Sequence, residues 1–135
     1  MKILFICKYN RFRSKCSEAL FNKYNKDSTN EVKSAGIMLD FMNQFVAGNV
    51  ISELKKRGAK VANEKSQMVD EHLIKWADKI IISADNVSIG LFPKEKTEQW
   101  MVRDASEHDI IGTRESVDNI ENRIKDFVKR IKSKT

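Results

Sequence analysis

Cys7-Lys8-Tyr9-Asn10-Arg11-Phe12-Arg13-Ser14 directly follows the apolar run Ile3-Leu4-Phe5-Ile6, and the reading of this stretch decides the fold. A cysteine and an arginine with five residues between them, closed by a serine, leave a predicted strand and enter a predicted helix. A loop this short at a helix N-terminus directs successive backbone N–H groups at one point, a concavity suited to phosphate or a similar oxyanion. Arg13 adds a planar fork for two oxygens of the same anion. Cys7 lies at the floor of this positive cup, where a thiolate is favoured. A thiolate facing a bound phosphate is a nucleophile facing its electrophile. The plainer alternative is that a cysteine ending a buried strand is only core.

Outward from this loop, residues 2–6 alternate little and are apolar after Lys2, as in a strand buried on both faces of a parallel sheet. Ser14 opens a helix to about residue 26, with Cys16, Ala19, Leu20 and Tyr24 at helical spacing. The turn cluster Asp27-Ser28-Thr29-Asn30 precedes a short strand over 31–35, ended by Gly36. A second helix is predicted over 43–57, with Val46, Val50 and Leu54 on one stripe and Gly58 past its end. A third covers 69–76. Lys79-Ile80-Ile81-Ile82-Ser83 is the clearest strand, and Asp85 follows its C-terminal end, where a doubly wound sheet places its chemistry.

A short helix over 86–91 and a loop at Pro93 lead to a fourth strand over 99–102. Residues 103–112 read as a charged loop. The last helix covers 114–132, with Val117, Ile120, Ile124, Phe127, Val128 and Ile131 facing inward. This alternation predicts one α/β domain over residues 1–135, doubly wound, with a four-stranded, mainly parallel sheet flanked by helices.

The totals agree with that reading. A length of 135 residues suits one domain whose core folds alone. Two cysteines make no disulfide framework, and neither sits in a metal-ligand cluster, which points to a reducing cytoplasm. No signal-peptide pattern is present, and no apolar stretch is long enough to span a bilayer. The net charge of +6 steers anionic partners, phosphorylated ones included, toward the chain. The basic residues Arg123, Lys125, Lys129, Arg130, Lys132 and Lys134 read as a solvated helix face rather than a nucleic-acid motif. His72 and His108 have no partner pattern and are expected at the surface. Trp100 is expected in packing or at the rim of the site.

The arrangement resembles the low-molecular-weight protein tyrosine phosphatases, which carry a Cys-x5-Arg-Ser loop after their first strand and share their fold with thioredoxin-coupled arsenate reductases. Ser34-Ala35-Gly36 is similar to the family's second strand, Ile82-Ser83-Ala84-Asp85 to its third, and Trp100-Met101-Val102-Arg103-Asp104 to its fourth strand and catalytic aspartate. The resemblance implies that Cys7 attacks phosphorus to give a phosphocysteine. Arg13 and the backbone N–H groups of Lys8, Tyr9, Asn10, Arg11, Phe12 and Arg13 then hold the equatorial oxygens. Asp104 protonates the leaving oxygen and later activates water; Glu107 and Asp109 are near enough in sequence to stand in for it. Ser14 assists thiolate departure, and Asn10 keeps the loop's shape through Ser34. No metal or cofactor is implied. The partner is a phosphorylated protein or a small phosphomonoester, with no nucleic acid and no membrane, and the oligomeric state is left open.

Several positions depart from the family pattern. Tyr9 stands where the family usually has Gly, so the backbone there is expected to need a conformation that Gly adopts more easily. Phe12 replaces a second loop cysteine, Lys15 a proline, and Ala105 the proline after the aspartate, and the tyrosines that often follow are absent. Tyr9, Phe12 or Trp100 are the residues available as apolar walls. Arg11, at the crest, either favours an acidic substrate or is a solvated charge. A catalytically weak phosphate-sensing module is the alternative from another class. Arsenate reduction fits less well, because it needs further cysteines and no Cys follows Cys16.

Overall fold

The computed structural model describes residues 1–132, so Lys134 of the basic C-terminal stretch lies outside the described residues. Four strands, β1 (Lys2–Cys7), β2 (Glu31–Gly36), β3 (Lys79–Ser83) and β4 (Thr97–Trp100), form one sheet in the order β2-β1-β3-β4. Every neighbouring pair is parallel, so the sheet is parallel throughout rather than mainly so. Four helices connect and flank the strands: α1 (Arg13–Tyr24), α2 (Gly48–Lys56), α3 (Glu71–Trp76) and α4 (Ile110–Lys132).

The period-two alternation of a strand sorts β1 between two cores. Ile3 and Phe5 face one side, with Ile81, Trp100 and residues of α1, α2 and α4. Leu4 and Ile6 face the other, with Ile80, Ile82, Phe92 and the partly buried Leu73, Ile74 and Trp76 around α3. Trp100 is packing: its ring lies 5.9 Å from Phe5 and 6.0 Å from Phe127, well inside the first core. Among the described residues no helix is long and apolar enough to cross a membrane.

Element boundaries differ from the sequence expectation where tertiary pairing claims the backbone. The second helix begins at Gly48 rather than 43, because residues 44–46 run extended against 64–66: Val46 N donates to Glu64 O and Ser66 N to Gln44 O. The first helix stops at Tyr24, since Asn25 is extended. The third starts at Glu71, capped by the Asp70 side chain, which accepts from Leu73 N. β4 spans Thr97–Trp100, in register with Ile80–Ser83, and the chain leaves the sheet at Met101. The last helix starts at Ile110, four residues early, because Asp109 Oδ1 accepts from Gly112 N at its start. The helix expected over 86–91 shrinks to a 3-10 turn at Ile89–Leu91.

β1 is central, and its continuation diverges to β2 on one side and β3 on the other. Ligands bind at the carboxyl ends of strands at such a switch point, and Cys7 is the carboxyl end of β1.

Candidate active site

Between Cys7 and the start of α1, residues 8–12 form the loop. Asn10, at φ 54°, is the one non-glycine among the described residues with a left-handed backbone. Among the described residues, none of the backbone N–H groups of residues 8–12 donates to a protein acceptor. Most of the carbonyls here are engaged instead: Cys7 O accepts from Ile37 N (3.1 Å), Lys8 O from Met38 N (3.1 Å), Asn10 O from the Ser66 hydroxyl (3.0 Å) and Arg11 O from Ala47 N (3.4 Å). Phe12 O accepts from Cys16 N (2.9 Å). With carbonyls tied outward and amides left over, the loop has the polarity of an anion cup. The N-terminus of α1 adds to it, since no side chain caps Phe12 and the first turn holds no acidic residue.

The cup is shaped by Asn10, a fully buried side chain. Its Nδ2 donates to Ser14 Oγ (2.7 Å) and Ser34 Oγ (3.0 Å), and its Oδ1 accepts from Gln67 N (3.0 Å). Ser14 Oγ is 2.9 Å from Cys7 Sγ. Because Ser14 already accepts from Asn10, its hydroxyl proton is left for the sulfur. Gly36 lets the loop lie against β2: a Cβ there would sit 2.8 Å from Lys8 O and from the Tyr9 carbonyl carbon.

Arg13 is 2% exposed and fixed from one side. Nη1 donates to Val102 O (3.0 Å) and Asp85 Oδ1 (3.3 Å), and Nη2 to Asn86 Oδ1 (2.8 Å). Its Nε–H makes no hydrogen bond among the described residues. Asp104 Oδ2 lies 3.9 Å from Arg13 Nη2, on a side chain that is half exposed. Asp85 and Asp104 are thus the two carboxylates at the guanidinium. Glu107 pairs with Arg11 instead, and Asp109 caps α4. A cavity of about 390 Å³ lined by Arg103, Asp104, Asp109 and Ser116 borders the acid segment on the α4 side and includes no residue of the loop.

Beneath the loop, Lys15 is buried and donates through Nζ to Asn63 O (2.6 Å) and Lys65 O (2.9 Å). Burial pushes its ammonium below the usual lysine range, while the Glu18 and Cys7 charges oppose the shift. Glu18 accepts from the Ser34 hydroxyl (2.7 Å); burial pushes its carboxyl up, against that hydrogen bond and the Lys15 charge. Cys16 is wholly buried in the first core, and burial, then the Cys7 charge, push its thiol up.

The sequence matches the model of the low molecular weight phosphotyrosine protein phosphatase family over residues 2–135. The chain belongs to this family. Among solved structures, it is similar to an arsenate reductase from Archaeoglobus fulgidus at 30% identity, with 94% of this chain and 98% of that one covered and a TM-score of 0.80. It superposes on a low molecular weight protein tyrosine phosphatase from T. tengcongensis at 20% identity, covering 96% and 99%, with a TM-score of 0.84. An arginine phosphatase from Geobacillus stearothermophilus aligns at 23% identity, covering 98% and 94%, with a TM-score of 0.81. The last two likenesses concern the fold.

Within this phosphatase fold, the unfamiliar side chains at Tyr9, Phe12 and Arg11 are accommodated by the scaffold. Tyr9 needs no glycine-like backbone, because the positive φ falls on Asn10, a residue that tolerates it. Phe12 is buried in the first core and Trp100 beside it, so neither is an apolar wall of the site; of the three residues expected there, Tyr9 alone stays partly exposed. Exposed apolar side chains lie on the segment after β2, which is tied to the loop at Met38, whose N–H donates to Lys8 O, and at Phe45, whose carbonyl accepts from Arg11, with the exposed Phe41 and Met42 between them. Arg11 is neither free nor a plain solvated charge, since it is engaged with Glu107 and Phe45 O. His72 and His108 are exposed, as expected. Gly36, Ser66, Gln67, Asn86 and the cation of Lys15 were not legible as site residues. Their partners lie far along the chain, and apart from the Ser-Ala-Gly triplet no local motif marks them.

Proposed function

We propose that this phosphatase-fold chain hydrolyses phosphomonoesters through a phosphocysteine on Cys7, with phosphotyrosine as its substrate. The observation that carries the reading is the loop's set of unbonded amides directly following a cysteine whose sulfur meets the Ser14 hydroxyl, with Arg13 and the half-exposed Asp104 3.9 Å apart. The Cys7 thiolate attacks phosphorus; an S–P bond forms as the ester P–O bond breaks, and the leaving oxygen takes a proton from Asp104. Water then attacks phosphorus, Asp104 takes its proton, and the S–P bond breaks. Ser14 donates to the departing sulfur. The amides of residues 8–13 and Arg13 stabilise the equatorial oxygens throughout. Asp85 orients Arg13.

Met38, Phe41, Met42 and Phe45 beside the loop, with Tyr9, supply apolar surface for an aromatic ester. Both cysteines are free thiols, which suits action in a reducing compartment such as the cytoplasm. Arsenate reduction would draw electrons from a second thiol, and Cys16 is buried with its thiol pushed toward the protonated form, which makes it a slow nucleophile.

The test is hydrolysis of an aryl phosphate, a phosphotyrosine peptide and a phosphoarginine peptide by the wild type and Cys7→Ser, with chelator present, beside an arsenate-reduction assay. Turnover of phosphotyrosine that vanishes in Cys7→Ser supports the reading. Preference for phosphoarginine overturns the substrate, and arsenate reduction overturns the reaction. A folded wild type that binds tungstate without turnover overturns both in favour of a sensing module.

A further inference from the structure

Arg11 joins three pieces of chain at the mouth of the loop. Its Nε donates to Phe45 O (2.9 Å), its Nη2 pairs with Glu107 Oε1 (2.8 Å), and its carbonyl accepts from Ala47 N (3.4 Å). The Arg11 side chain is 18% exposed and that of Glu107 49%, so the pair is shielded on the arginine side and open to solvent and salt on the other.

Glu107 lies three residues beyond Asp104 on a segment with few fixed points. Upstream, Val102 O accepts from Asp85 N and from Arg13, and Arg103 O accepts from the Ser116 hydroxyl. Downstream, Asp109 caps α4. Between these anchors, Ala105 packs on the core, Asp104 Oδ1 accepts from Ala105 N (3.0 Å) and Ser106 O accepts from Asp109 N (3.1 Å), while the side-chain ties of residues 104–108 to more distant parts of the described protein come from two arginines: Arg13 near Asp104, and Arg11 on Glu107. A residue before proline is confined to extended backbone. Asp104 precedes Ala105 and has no such restraint, so its position must be fixed by contacts.

We propose that the Arg11–Glu107 pair is a clasp that positions Asp104 over the loop, making Arg11 and Glu107 positioning residues for proton transfer. The inference rests on the reading of Asp104 as the acid. Because Arg11 also belongs to the anion cup, the clasp ties the acid segment directly to the loop that grips the phosphate. An acid displaced by an ångström loses much of its effect, and the loss is largest where the leaving oxygen is most basic.

The experiment compares p-nitrophenyl phosphate, a good leaving group, with phenyl phosphate, a poor one, for the wild type, Glu107→Gln, Arg11→Met, the double variant and Asp104→Asn, each checked for folding by thermal melting. Glu107→Gln is expected to lower kcat on phenyl phosphate roughly tenfold and on p-nitrophenyl phosphate by less than about twofold. The double variant is expected to fall no further on phenyl phosphate than Arg11→Met, since a clasp is lost once. Equal losses on both substrates, no loss on either, or additive losses overturn the clasp while Asp104→Asn still shows the selective loss. If Asp104→Asn lacks the selective loss, the reading of Asp104 as the acid fails and takes the clasp with it.

Discussion

Gly36→Ala isolates the packing that shapes the phosphate loop, because the added methyl meets only backbone. An ideal Cβ at this position lies 2.8 Å from Lys8 O, 2.8 Å from the Tyr9 carbonyl carbon and 2.9 Å from Asn10 N. Ordinary contact begins near 3.4 Å, so the loop and β2 must separate by about 0.5 Å. β2 is not free to retreat. Gly36 is in register with Cys7 on β1, its N–H donates to Gln67 O (2.9 Å), and its carbonyl accepts from Val69 N (2.8 Å). The loop therefore yields, and it carries the amides proposed to hold the anion.

Since an ångström of misplacement costs about a hundredfold, half of one is expected to lower kcat/KM roughly tenfold. Tungstate inhibition should weaken in parallel, because the same amides bind both. Overpacking is expected to cost about 1–3 kcal/mol of stability. The assays are aryl phosphate hydrolysis, tungstate inhibition and urea unfolding. Gly48→Ala is the control: nothing lies within 4 Å of a Cβ there, and an alanine in the first turn of α2 should be neutral or stabilising by about 0.5 kcal/mol. A folded Gly36→Ala protein with wild-type kcat/KM and tungstate affinity would refute the argument that Gly36 sets the loop's position.

Asn10→Ala removes three buried hydrogen bonds and puts alanine at φ 54°; we expect about 2–4 kcal/mol lost in urea unfolding and severely reduced turnover. Lys15→Met leaves Asn63 O and Lys65 O without their donor but relieves a buried charge, so a net loss of about 1–2 kcal/mol is expected, read from the urea midpoint. At Glu98, burial raises the carboxyl, but hydrogen bonds from Arg130, Trp100 and Lys79 outweigh it and bring it down to about 2. A folded pKa below the unfolded one contributes stability above the unfolded value, and that stability is lost as the pH falls from about 4.5 toward 2. After solvent screening this is about 2 kcal/mol, and Glu98→Gln should flatten that part of the stability–pH curve.

The strands and the loop were legible because their signals are local. Ile3–Ile6 and Ile80–Ile82 are apolar runs of strand length, and Cys7, Arg13 and Ser14 fall within one turn of chain. Boundaries failed where a distant partner decides them: the pairing of Phe45 with Lys65 turns the predicted start of a helix into extended chain. The supports of the site failed to register for the same reason. Asn86 reaches Arg13 from 73 positions away and Gln67 reaches Asn10 from 57, and neither residue type announces such a role. Tyr9 misled because a family position was equated with a backbone conformation, whereas the loop takes its left-handed residue one place later.

That last point bears on how the loop keeps its chemistry with unfamiliar side chains. In the proposed function its anion-facing atoms are main-chain N–H groups, which every residue except proline provides. The side chains of residues 8, 9, 11 and 12 are then free to serve the scaffold, and three of them do visibly different work. Phe12 fills the first core, Arg11 ties the crest to Glu107 and Phe45, and the Lys8 ammonium lies 5.2 Å from the centre of the Tyr9 ring. Asn10, Arg13 and Ser14 have no such freedom. Asn10 must adopt a left-handed backbone while bonding three partners, Arg13 must span from the loop to Val102 and Asn86, and Ser14 must present a hydroxyl to the sulfur. Proline is therefore the substitution to avoid at the variable positions, since it deletes one amide from the cup whatever its side chain packs against. Proline at position 9 should weaken tungstate binding more than alanine there, and equal affinities for the two would mean that the Tyr9 amide does not face the anion.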